Sequence, residues 1–408
     1  MDIVNKSLYY KPKHMAQSKH SLLRQRGEGI ASVSFSELLF DLIYVFAVTQ
    51  ISHYLLHHLT WVGFVQSTIL WFAVWLGWQH TTWMTNWFNP NMRSIRILLF
   101  ALMLIGLIIA AAIPEAFGDR GLIFALCYVV MQVGRSVSIL LMVGKKHHLT
   151  KNYSRILGWF LISAVFWIVG AFEEGHTRII LWAIAVIFDY VSPMFGFYLP
   201  FLGKSDSSKE WTIEGHHLTE RSQLFVIIAF GETILMTGAS LSDMEVWTTP
   251  VILAAVISAI SSLAMWWVYF DTSSEAGVEK IRKVKDPGKL GLRYHSIHVI
   301  LVGALIMSAV GDELVVNHPF GHISPEGIFV IIVGPIIYLA ANMIYKWLTC
   351  HTIAKSHIAG IIALLLIIPF TPLLNLLIIN ALSVLVFVII SIYEIVGSPS
   401  KKMENQEE

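Results

Sequence analysis

The chain has 408 residues, of which 56% are hydrophobic and 13% charged, with a formal net charge of +1. An ordinary soluble domain covers itself with roughly 25% charged residues, so this composition excludes a soluble fold and describes a surface wetted by hydrocarbon. No Lys/Arg cluster is interleaved with aromatic residues, which leaves nucleic-acid binding without support.

A helix needs about 20 apolar residues to cross a bilayer core of about 30 Å. After a polar tail, such runs fall at about 35–57, 61–84, 94–114, 121–144, 156–173, 178–202, 219–241, 248–270, 294–315, 326–347, 357–371 and 375–396. The fifth is short. The last two are divided by Pro369, Thr371 and Pro372 ahead of Asn375, which predicts a tight turn between two crossings rather than one kinked helix. The first run begins near Phe35 and is followed by many more, so it reads as an uncleaved insertion signal.

Basic residues fix the orientation. They fall in the N-terminal tail (Lys6, Lys11, Lys13, Lys19, Arg24, Arg26), in every second loop (Arg93 and Arg96; Lys145, Lys146, Lys151 and Arg155; Lys204 and Lys209; Lys280 to Arg293; Lys346 and Lys355) and in the C-terminal tail (Lys401, Lys402). The alternate loops are acidic, with Glu115 and Asp119, Glu173 and Glu174, Asp243 and Glu245, Asp312 and Glu313. All basic segments share one side only with twelve spans. The expected architecture is therefore an all-α integral membrane protein of twelve transmembrane helices with both termini cytoplasmic.

An internal repeat is expected on three grounds. Arg93-Ser-Ile-Arg-Ile entering span three matches Arg293-Tyr-His-Ser-Ile entering span nine. Spans one and seven open with Glu37 and Glu220 and carry Thr49 and Glu232 about twelve residues on, and spans two and eight begin at Trp61 and Trp247. Chance similarity among apolar helices is the alternative. The organisation read from this is a basic tail over 1–33, six helices over 34–203, a linker over 204–215, six helices over 216–396 and a polar tail over 397–408. Two parallel halves would place a site between them.

Charged side chains at mid-bilayer cost on the order of 2.5–3.5 kcal/mol even on the lenient insertion scale, so each needs a partner, a watery cavity or a function. Glu37 and Asp41 lie four apart on one face of span one with Tyr44, Val48 and Ser52, while Thr49, Gln50 and His53 point nearly opposite. A helix polar on two sides is predicted to be central. Arg135 in span four stands three residues from Gln132 and needs an acidic partner, either Asp189 in span six or Glu232 in span seven. Glu220 and Arg221 open span seven, and Gly231 beside Glu232 predicts a close helix approach. For Glu37 the plain alternative is a helix cap, and for Arg135 a structural ion pair. The expected substrate or ion site is Glu37, Asp41, Arg135, Asp189, Glu220, Arg221 and Glu232.

Other chemistry finds little. Seventeen histidines include the pairs His57-His58, His147-His148 and His216-His217, but adjacent helical residues do not face one point. His53, His80 and His298 are placed towards span ends, so no metal, haem or other cofactor is expected. Trp75, Trp78, Trp83 and Trp87, with Asn86, read as an interfacial aromatic belt. Cys127 and Cys350 fall at different membrane depths, and no disulfide is expected between them. No nucleophile–base constellation can be assembled, so an enzyme is not expected.

Glu37-Leu-Leu-Phe-Asp-Leu-Ile-Tyr-Val-Phe-Ala, Thr82-Trp-Met-Thr-Asn-Trp-Phe-Asn-Pro, Ala112-Ile-Pro-Glu-Ala-Phe and Thr219-Glu-Arg through Gly231-Glu-Thr-Ile-Leu together resemble the bacterial low temperature requirement A (LtrA) family across most of 34–396. The resemblance implies a bacterial multi-pass plasma-membrane protein connected by name with growth in the cold. Glu37, Asp41, Glu220, Arg221 and Glu232 fall on the family-like motifs and Asp189 does not. Phe35-Ser36 also echoes, more distantly, potassium channels built from two six-helix repeats. The expected function is a secondary transporter, proton-coupled in one form, moving a small solute or ion through a site between spans one, four and seven. The alternatives are a cation channel, a lipid-acting protein and a non-transporting scaffold.

Overall fold

The computed structural model describes residues 22–24 and 33–397. The basic tail residues other than Arg24 and the side chains of Lys280, Arg282 and Lys283 lie outside the described residues. Among the described residues, twelve helices are long and apolar enough to cross a membrane: α1 (Phe35–His57), α2 (Trp61–Trp87), α3 (Arg93–Ala112), α4 (Gly121–Val143), α5 (Leu149–Phe172), α6 (Gly175–Met194), α7 (Gly215–Ser242), α8 (Thr249–Lys283), α9 (Pro287–Asn317), α10 (Pro325–Cys350), α11 (Lys355–Leu373) and α12 (Leu376–Gly397). This is the expected all-helical, twelve-span architecture.

Short polar residues start the helices where the sequence changes from polar to apolar. Ser34 and Glu37 form a reciprocal capping box at α1, which satisfies two of the otherwise unpaired amide donors. Thr60 caps α2, the Glu214 carboxylate accepts from the His216 and His217 amides at α7, and Asp286 caps α9 ahead of Pro287. Ile368–Leu373 winds as a 3-10 turn carrying Pro369 and Pro372 before the chain reverses into α12, as those prolines predict. The fifth span is not short: it starts at Leu149 and runs 24 residues.

Large apolar side chains face outward, among them Ile97, Phe100, Leu104, Leu107 and Ile108 on α3. In a membrane this is the lipid-facing surface, and it explains why so little charge is needed. The neighbour relations recur in the two halves of the sequence. α1 packs on α2 and α3, α3 on α4, α4 on α5, α5 on α6, and α2 returns to α6; α7 packs on α8 and α9, α9 on α10, α10 on α11, α11 on α12, and α8 returns to α12. The halves meet where α1 and α2 lie against α7 and α9.

Four expectations are corrected. The most enclosed spans are α9 and α2, 72% and 67% buried over their apolar windows, whereas α1 is 50% buried and leaves Leu38, Leu39 and Leu42 exposed; one face of α1 holds its buried polar groups and the other meets lipid. The tryptophans of α2 are core and not an interfacial belt: Trp75 and Trp78 are fully buried, and Trp83 and Trp87 nearly so. Asp312 and Glu313 sit within α9 rather than in a loop, and the Asn380 amide of α12 donates to buried Asp312 at 3.2 Å. A Cβ added at Gly231 would meet nothing within 4 Å, so no helix approaches there.

One irregularity has a clear local cause. Phe329–Val333 in α10 is a π turn, directly ahead of Gly334-Pro335. Pro335 has no N–H to return to the carbonyl four residues back, and the helix widens there. The widened turn receives α9 at Gly311, where an added Cβ would stand 3.3 Å from the Ile331 Cα and the Val330 carbonyl carbon.

Candidate functional site

The densest group of ionisable side chains lies where α1 and α7 meet, at the end nearer the basic loops. Glu37 and Asp41, one turn apart on α1, face His217 and Arg221, one turn apart on α7. Arg221 bridges both carboxylates, with Nη1 3.2 Å from Glu37 Oε1 and Nη2 2.6 Å from Asp41 Oδ1. All four side chains are buried, with exposures of 0–2%.

Further groups complete the network. The Trp78 indole of α2 donates to Asp41 Oδ1 at 2.8 Å, and the Arg221 guanidinium stands 5.8 Å from a Trp78 ring centroid. The segment at Leu22–Arg24 runs antiparallel to the end of α2, bridging at Leu23 and Phe88. Arg24 Nη2 reaches Glu37 Oε2 at 3.1 Å, while Arg24 Nε donates to the Thr85 carbonyl at 3.0 Å. The hydrogen bonds also define the imidazole. Asn86 exchanges bonds with the Glu214 backbone, which fixes its amide orientation, and its Nδ2 then donates to His217 Nδ1 at 3.1 Å. This places the proton on His217 Nε2, which donates to Glu37 Oε1 at 2.7 Å, the shorter of its two contacts, the other being Arg24 Nη2 at 3.2 Å. With His217 neutral, two carboxylates balance two guanidinium groups. Asp41 Oδ2 and Arg221 Nε nevertheless have no hydrogen-bond partner among the described residues.

Arg135 lies outside this network, with α2 in between. Its Nη1 donates to Thr81 Oγ1 at 3.2 Å and the Gly77 carbonyl at 3.4 Å, and its Nη2 to Gln132 Oε1. The expected direct pair with Asp189 is not made. A neutral relay joins them instead: Gln132 Nε2 donates to Tyr128 Oη at 3.1 Å, and the Tyr128 hydroxyl donates to Asp189 Oδ2 at 3.0 Å. Glu232 accepts from Thr49 Oγ1 at 2.5 Å, further along the α1–α7 contact. Glu220 is partly exposed at the end of α7, accepting from the Val33 amide at 3.2 Å. So Glu37, Asp41 and Arg221 come together, Arg135 and Asp189 are linked at a distance, and Glu220 and Glu232 stand apart.

Sequence reasoning missed His217, Trp78 and Arg24. His217 lies four residues before Arg221 and so shares its face, a usable signal. Trp78 follows Trp71 and Trp75 at helical spacing, which marks a packed stripe. Arg24 carries no such signal, because its place depends on the tail pairing with α2.

Two solvent-accessible spaces lie near these groups. A narrow cavity of about 30 Å³ runs between α2, α4 and α5, with Arg135 in its wall. It adjoins a larger cleft of about 1380 Å³ bordered by α5, α6, α9 and α10, and Pro193, Trp211 and Leu292 line both.

These features define an all-helical multi-pass membrane protein with a charge-balanced network buried between the two halves of its sequence. The chain belongs to the bacterial low temperature requirement A protein (LtrA) family, whose model matches residues 32–392. It is also similar to an uncharacterised protein of Rhizobium meliloti (strain 1021), 34% identical over 400 residues, covering 96% of this chain and 97% of that protein. No solved structure matches.

Proposed function

We propose that this protein is a secondary transporter of the bacterial plasma membrane, with both termini and the basic loops in the cytoplasm. Its ionisable centre is the network of Glu37, Asp41, His217 and Arg221. The observation that carries this reading is that the network spans the boundary between the halves while Asp41 Oδ2 and Arg221 Nε are buried without a hydrogen-bond partner among the described residues. A purely structural lock favours complete pairing, because a buried polar group left unpaired costs roughly 1–3 kcal/mol. Groups that exchange partners as the halves move tolerate open positions in any one arrangement. Asp41 is the group on which a coupling proton would sit.

Two further features support the reading. The large cleft opens between helices of the two halves on the side of the basic loops, as expected of an access path open to one side. Glu232 stands eleven residues beyond Arg221 on α7, about 16 Å along the axis, so ionisable groups are spread across the depth of the same helix. The channel alternative fares worse on the geometry of α1, because its acidic face is filled by Arg221 and Trp78.

Solute-jump currents from the purified protein in proteoliposomes test the proposal. A transporter gives currents that saturate with solute concentration. Ion flux that rises linearly with the gradient and is unchanged by Glu232→Gln would identify a pore instead.

A further inference from the structure

Arg135 is 2% exposed within the span α4, and the three acceptors it contacts are all neutral: Gln132 Oε1, Thr81 Oγ1 and the Gly77 carbonyl. No carboxylate lies within ion-pair distance of it among the described residues. Asp189, the nearest in the hydrogen-bonded chain, is separated by Gln132 and Tyr128. A guanidinium is effectively always protonated, and a buried charge without a counter-ion is strongly unfavourable. Here a charge without a carboxylate partner, its guanidinium 5.8 Å from the Phe160 ring centroid, lines a cavity.

The cavity walls narrow the chemistry. Trp83, Trp87 and Trp211 border it, and each indole N–H is engaged by the protein: Trp83 donates to His295 Nδ1 at 2.8 Å, Trp87 to the Thr212 carbonyl at 2.6 Å and Trp211 to Asn152 Oδ1 at 3.1 Å. The cavity therefore presents indole ring surface beside one cation, with His80, Ser136 and Tyr153 also in its wall. Gln79 also lines it and accepts from Trp75 through Oε1 at 3.2 Å, which leaves its amide nitrogen as a second donor. A volume of about 30 Å³ matches one or two waters, enough for a carboxylate head but not a whole metabolite. The body would extend past Leu292 into the cleft, whose lining includes Lys204, Lys289 and Arg293 against the single carboxylate Asp206. Such a mouth raises the local concentration of anions.

We propose that this cavity and cleft form a binding site for a small organic monocarboxylate, its carboxylate on Arg135 beside the Trp83 and Trp87 rings and its apolar body passing Trp211 and Leu292 into the cleft. The site is distinct from the Asp41–Arg221 network. As a binding site it does not depend on the transport reading, and binding alone decides it.

Thermal unfolding of the purified full-length protein with benzoate, its neutral isostere benzamide and sodium chloride at matched ionic strength is the test. Benzoate is expected to raise the melting temperature saturably by several degrees, with benzamide and chloride giving no saturable shift. Arg135→Gln should weaken benzoate binding at least tenfold. Leu292→Trp, at the junction of cavity and cleft, should block it while leaving Arg135 intact, and this variant decides the matter if Arg135→Gln does not fold. Lys289→Ala combined with Arg293→Ala should keep saturable binding with a few-fold loss of affinity. Absence of a saturable benzoate shift, an equal shift with benzamide or chloride, or undiminished binding in the folded Arg135→Gln or Leu292→Trp protein would overturn the proposal.

Discussion

Arg221 holds two carboxylates at once, and its removal would leave Asp41 with only the Trp78 indole among the described residues, while Glu37 keeps Arg24 and His217. Breaking a buried charge pair from one side typically costs about 3–5 kcal/mol. Arg221→Gln is therefore expected to lower the melting temperature in detergent strongly, with a loss in that range. Trp78→Phe removes the donor to Asp41 and shrinks a fully buried ring, which predicts a smaller loss of about 1–2 kcal/mol; equal effects of the two substitutions would show that Arg221 is not the stronger tie on Asp41. At this scale the sequence was informative about which residues matter and poor about their partners. The one-turn spacing of Glu37 and Asp41 marked a shared face, but the choice of Arg221 over Arg135 as partner depends on which helices meet. The relay from Arg135 to Asp189 was out of reach for the same reason, since Gln132 and Tyr128 become links only once α4 lies against α6.

At the scale of elements, helix number and type were legible because a span needs a long apolar run and this chain repeats that run twelve times. Depth and packing were less so. The tryptophans of α2 have the composition of an interfacial belt, yet α2 is enclosed by neighbours on most sides, and no single-helix pattern distinguishes the two. The π turn of α10 had a signal in Gly334-Pro335, and Gly311 of α9 fits against it. Gly311→Ala would press a methyl group onto the Ile331 backbone, for which overpacking predicts a loss of about 1–3 kcal/mol. Gly231→Ala, with open space around it, should not destabilise and is expected to gain up to about 1 kcal/mol from helix propensity. Thermal unfolding of the pair checks both, and a larger destabilisation at Gly231 than at Gly311 would contradict the described packing.

The whole molecule couples two sets of helices through a small buried network. The tail at Arg24, the end of α2, the α6–α7 linker and the start of α9 all converge on one face, as the contacts of Trp87 with Thr212 and of Ser207 with Asp286 show. The basic loops occupy that face, so the proposed orientation puts the Asp243–Glu245 loop outside. A cysteine introduced at Met244 should react with an impermeant maleimide on intact cells; reaction only after permeabilisation would invert the orientation. Whether the network works or merely holds the halves together is decided by measuring two properties of one variant. In Asp41→Asn, Arg221 keeps Glu37 and the amide oxygen still accepts from Arg221 and Trp78, so saturable solute-driven current in proteoliposomes is expected to be abolished while the melting temperature moves by only a few degrees, less than in Arg221→Gln. Full current in the folded variant, with a large fall in melting temperature, would show that Asp41 is a structural tie and contradict the account.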